Sequence, residues 1–143
     1  MIPIPEECFH EKGHTGRQLV CEEHGRRMVF CKPTGCKADK IRIDGCVLVE
    51  KPACDYLVRD WKERQHFVEL KGRHDEEALK QIEATIPHFV PVNSEERIWC
   101  FVICSGASPA TRPGIQSRKR RISKKWNATI VIRTNVFEHK LDT

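Results

Sequence analysis

The run His66-Phe67-Val68-Glu69-Leu70-Lys71-Gly72 is apolar enough to be a strand, yet it carries an acid and a base two positions apart. Side chains alternate along a strand, so Phe67, Glu69 and Lys71 share one face while Val68 and Leu70 point into a core. Upstream, Cys54-Asp55-Tyr56-Leu57-Val58 reads as a neighbouring strand that begins on an aspartate; downstream, His74-Asp75-Glu76-Glu77 opens a helix. Two adjacent strands bring the Asp55 and Glu69 carboxylates close together. Like charges that near need a cation between them, which predicts a divalent metal with oxygen ligands. The opposing reading is a solvent-face ion pair of Glu69 and Lys71, an arrangement that contributes little.

The rest of the chain builds a sheet around that stretch. Met28 to Cys31, Lys40-Ile41-Arg42-Ile43-Asp44 and Cys46-Val47-Leu48-Val49 are strand-like, with short polar connections that predict an antiparallel meander at one side of a mixed sheet. Residues 74–86 predict a helix: Asp75 caps it, Glu76 and Glu77 suit its first turn, Ala78, Leu79, Ile82 and Ile86 recur at helical spacing, and Pro87 ends it. Ile98 to Cys104 reads as a strand buried on both faces, reached by a crossover from the Glu69 strand. The expected class is α/β (α+β): one domain over 1–143, with 1–26 a loosely ordered arm, 41–104 the core and 127–137 a final strand.

With 25 Lys plus Arg against 20 Asp plus Glu, the net charge of +5 suits a polyanionic partner without requiring one. The positive charge concentrates late, in Arg112, Arg118, Lys119, Arg120, Arg121, Lys124 and Lys125, with Trp126 beside them. A solvated face and a phosphate-tracking patch with Trp126 as a stacking group carry comparable weight. No apolar run approaches the length of a membrane span, and the start lacks the pattern of a signal peptide, so a cytoplasmic, membrane-free protein is expected. The eight cysteines are then expected as thiols or metal ligands before disulfides. Cys21, His24, Cys31 and Cys36 are the candidates for structural zinc, but their spacing matches no standard knuckle, and Pro33-Thr34-Gly35 explains the turn between the last two without a metal.

Asp55, then Glu69-Leu70-Lys71, then a helix with Gln81 resembles the PD-(D/E)xK nuclease superfamily, which includes restriction endonucleases, Holliday-junction resolvases and RecB-like exonucleases. Asp60-Trp61-Lys62 and Glu138-His139-Lys140 satisfy the same three-letter pattern, but only Glu69-Leu70-Lys71 has an apolar strand before it and a helix after it. The resemblance spans 41–104 and implies a restriction-endonuclease-like mixed sheet. It also implies magnesium, with manganese as a substitute, held by Asp55, Glu69 and the Leu70 backbone carbonyl. Lys71 would activate or orient the attacking water, and Gln81 would hold it. Where the RecB-like branch has a tyrosine four residues after that glutamine, this chain has Thr85, and Pro52 stands three residues before Asp55. A further ligand would come from Glu22, Glu23 or Glu50. The implied function is cleavage of DNA, or of RNA, by a homodimer or with a partner protein, in a prokaryotic defence or mobile-element setting. The alternatives are an inactive module of the same fold that binds nucleic acid or protein, and a small zinc-stabilised regulator.

Overall fold

The structure is a computed structural model that describes residues 2–70, 75–105 and 113–142. Nine strands and two α-helices are described: β1 (Phe9–His14), β2 (Gln18–Glu23), β3 (Arg26–Cys31), β4 (Ala38–Arg42), β5 (Tyr56–Arg59), β6 (Gln65–Leu70), α1 (Asp75–Thr85), β7 (Ile98–Cys104), α2 (Pro113–Trp126), β8 (Ala128–Thr134) and β9 (Val136–Lys140). They form a mixed six-stranded sheet in the order β1-β4-β5-β6-β7-β8 and a three-stranded sheet in the order β2-β3-β9. Strands β4, β5 and β6 form an antiparallel meander, but of the strands expected to build it Met28 to Cys31 belongs to β3 of the small sheet and Cys46 to Val49 is not a strand. Strands β6, β7 and β8 run parallel, with α1 and α2 in the two connections, as parallel neighbours require.

The two faces of the large sheet are buried differently. Leu57, Phe67, Cys100, Val102, Ile130 and Ile132 pack with Ala78, Leu79 and Ile82 of α1 and Ile115, Ile122 and Trp126 of α2. Tyr56, Val58, Val68, Leu70, Phe101 and Ile103 pack instead with Leu19, Cys21, Met28 and Phe30 of the small sheet. The chain is therefore layered: helices, six strands, three strands. Along β6 the alternation holds, with Phe67 and Glu69 on the helix side and Val68 and Leu70 toward the small sheet, but both faces are covered. Glu69 is only 3% exposed, which overturns the solvent-face reading.

Several expectations are corrected. Residues 1–26, expected as a loosely ordered arm, contain β1, which pairs antiparallel with β4, and β2, which pairs with β3 through a His24-Gly25 turn with positive φ at both residues. Cys46 to Val49 is a turn fastened by a bridge between Asp44 and Leu48, and Cys46 forms a disulfide with Cys8. The final strand divides at Asn135 (φ 62°), after which β9 leaves the large sheet and pairs parallel with β3. The zinc candidates do not converge. His24 is in the hairpin turn, Cys21 is buried toward the large sheet, and Cys31 alternates to the other face from Met28 and Phe30. Among the described residues, no three His, Cys, Asp or Glu side chains form a group that could hold a metal. No helix among them is long and apolar enough to cross a membrane.

Candidate active site

The β5–β6 ladder ends at the pair Tyr56↔Val68, and the next two residues continue it with side chains. The Asp55 amide donates to Glu69 Oε1 at 3.0 Å, and the Leu70 amide donates to Asp55 Oδ2 at 2.8 Å. This reciprocal capping fixes both carboxyl groups at the carboxyl end of β6, where parallel sheets commonly bind ligands. Asp55 is 8% exposed. Burial pushes its carboxyl up from 3.8 to about 6; the Leu70 amide, Arg42 and a hydrogen bond with Glu69 oppose that rise, and the Glu23 charge adds to it. The two acids thus meet as the sequence suggests, in a setting that penalises their charge.

They line a cleft of about 420 Å³ together with Glu23, Asp44, Arg26, Arg42, Lys51 and Gln81. Gln81 lines the cleft, and its Oε1 is buried with no hydrogen-bond partner among the described residues, an acceptor whose demand the described residues leave unmet. Thr85, which stands where a tyrosine was expected, has a definite structural part. Its hydroxyl donates to the Gln81 carbonyl at 2.7 Å and accepts the Cys54 amide at 2.7 Å, tying α1 to the residue before Asp55. A larger cleft, about 940 Å³, is lined by the start of β2, the segment from Cys31 to Thr34 and the end of β9. Its Lys32 spends its ammonium on the carbonyls of His14, Gly16 and Cys36, and among the described residues Glu138 is the one acid in its lining, against the convergent acids of the smaller cleft.

Arg26 and Arg42 were missed by the sequence reading. Arg42 lies 3.2 Å from Glu23 and 3.6 Å from Asp55, bonds the Asp44 carbonyl through Nε at 3.0 Å, and sits over the Tyr56 ring. Arg26 Nε donates to the Leu70 carbonyl at 3.2 Å, so this expected metal ligand already has a partner. The available signal was the alternation of Lys40-Ile41-Arg42-Ile43-Asp44, which marks Arg42 as the last strand residue on its face; nothing local marks Arg26. Of the three further acids weighed, Glu23 lines the cleft, while Glu22 pairs with Arg27 and Glu50 is exposed at positive φ. Lys71 and Arg112 lie outside the described residues.

The basic segment is α2, and part of its charge is structural. Arg118 and Arg121 both bind Glu83 of α1, at 2.8 Å each. Trp126 is 1% exposed in the helix-side core, which excludes it as a stacking platform. Arg120, Lys124 and Lys125 are exposed, and Lys119 partly so. Asp60, from the rival Asp60-Trp61-Lys62 pattern, accepts the Lys62 and Arg64 amides and the Arg64 guanidinium, which accounts for it as the organiser of a tight turn.

These features define a mixed α/β protein with two helices on one side of a mixed sheet and an acidic pair at the end of its central strand. No protein-family model, curated protein or solved structure matched the chain.

Proposed function

We propose that the protein is a metal-dependent nuclease with a restriction-endonuclease-like core that hydrolyses phosphodiester bonds, of DNA in the first place and of RNA in the second. The observation that carries this reading is the contact between the buried Asp55 and Glu69 carboxyl groups, with the unpartnered Gln81 oxygen in the same cleft. The donor set fits magnesium: the two carboxylates are hard ligands, and so few protein ligands leave room for water. When bound, the ion would act as a Lewis acid and lower the pKa of the attacking water. Asp55 and Glu69 would hold it, and Gln81 would orient the water. Arg26, Arg42 and Lys51 would bind the phosphate, with Lys71 in the water-activating role implied by the resemblance. Arg120, Lys124, Lys125 and Lys119 would track the backbone, in a homodimer or beside a partner protein in the cytoplasm.

A second reading is favoured by the company the acids already keep. Arg42 neutralises Asp55 and Arg26 takes the Leu70 carbonyl, as suits an inactive module that binds nucleic acid. Plasmid nicking with magnesium separates the two. The nuclease reading expects cleavage by the wild type and none by Glu69→Ala or Lys71→Ala proteins that remain folded. Equal cleavage by all three would place the activity elsewhere, and binding without cleavage by the wild type would establish the module.

A further inference from the structure

At the other end of β6, about 17 Å from Leu70 along the strand, a third cleft of about 520 Å³ is lined by Arg59, Lys62, Arg64, Arg97, Gln65 and Trp99, with Glu63 and Glu96 as its acids. We infer that this cleft binds single-stranded nucleic acid, with a base against Trp99 and the phosphates on the surrounding cations. With Arg64 already paired with Asp60, Arg59, Lys62 and Arg97 outnumber Glu63 and Glu96, a positive excess that suits a polyanion. The aromatic element is rigid and within reach. Trp99 is partly exposed and lies flat on His66, with ring centroids 5.0 Å apart and planes 17° apart. A fixed ring offers stacking area at little entropic cost.

The cations are set in place beforehand. Arg64 is held by Asp60 at 2.6 Å and lies 5.5 Å from the centre of the Trp61 ring, and Arg97 donates to Thr129 at 2.6 Å. Gln65 also lines the cleft, and its Oε1 is buried with no partner among the described residues, so turning the side chain toward a base amine would satisfy it. None of these residues belongs to the acidic cleft or to α2. The inference deepens the nucleic-acid reading but does not require cleavage, so the two can fail separately.

The test is fluorescence anisotropy with a labelled thymidine 12-mer, in chelator and at low salt. Wild type should bind it, quench tryptophan emission and prefer it to a duplex of equal length. Lys62→Glu with Arg97→Glu should weaken binding at least tenfold and flatten the dependence of log K on log salt by about 0.7 per cation removed. Trp99→Phe, which keeps a ring on His66, should lose most of the quenching. Unchanged affinity in the charge-reversed protein would overturn the inference, as would equal affinity for the duplex, no binding by the wild type, or capture of a polyglutamate peptide in place of the oligonucleotide.

Discussion

Replacing Asp55 by Asn, in metal-free buffer, should make the protein more stable. The carboxyl keeps its proton up to pH about 6 when folded but only to about 3.8 when unfolded. Between those values the native state binds more protons, so this group's contribution falls as pH rises and is least favourable above pH 6. The full shift corresponds to about 3 kcal/mol. Asp55→Asn keeps an oxygen to accept the Leu70 amide and cannot ionise. Urea unfolding in EDTA should find it equal to the wild type near pH 3.5 and up to about 3 kcal/mol more stable at pH 8, on the order of 10 °C in Tm. Saturating magnesium should oppose this, adding about 2.7 kcal/mol to the wild type alone at a hundred times Kd. A difference between the two proteins that does not change with pH, or a less stable variant at pH 8, would refute the account of the buried pair. Absence of the magnesium effect would refute only the metal.

His66 should act in the opposite direction: burial lowers it from 6.5 to about 4, so its stabilising contribution is complete above pH 6.5 and is lost as pH falls toward 4, by about 3 kcal/mol. His66→Gln should remove that loss from denaturation midpoints measured in the Asp55→Asn background, where no opposing carboxyl masks it; an unchanged slope would show that His66 does not titrate in this way. The Cys8–Cys46 bridge closes a separation of 38 residues, and Cys8→Ser should cost up to about 4 kcal/mol. Alkylation of the unfolded, unreduced protein should label six cysteines; eight would show that the bridge does not form.

What could be read from the sequence was what repeats locally. The alternation around Glu69, the helical spacing from Ala78 to Ile86 and the unbroken apolar run of β7 each located an element; the helical spacing also gave the buried side of α1 and the apolar run the double burial of β7, whereas both faces of β6 proved to be covered. The spacing of Ile115, Ile122 and Trp126 was legible too, and it would have marked Trp126 as core had the charges between them not dominated the reading. What escaped depends on distant partners. Cys8 and Cys46 are joined by the path of the chain and not by a spacing rule, and Arg26 reaches the site only because the small sheet lies over β6. The β2–β3 hairpin announced itself in His24-Gly25 but was obscured by its polar surroundings.

The pairing of β9 with β3 joins Arg27 to Val136, partners across most of the chain's length. Closing so long a loop costs entropy before the contact is made, so this strand pair weights the protein toward slow folding, while in the finished structure it anchors the end of the chain to the sheet that covers Phe101.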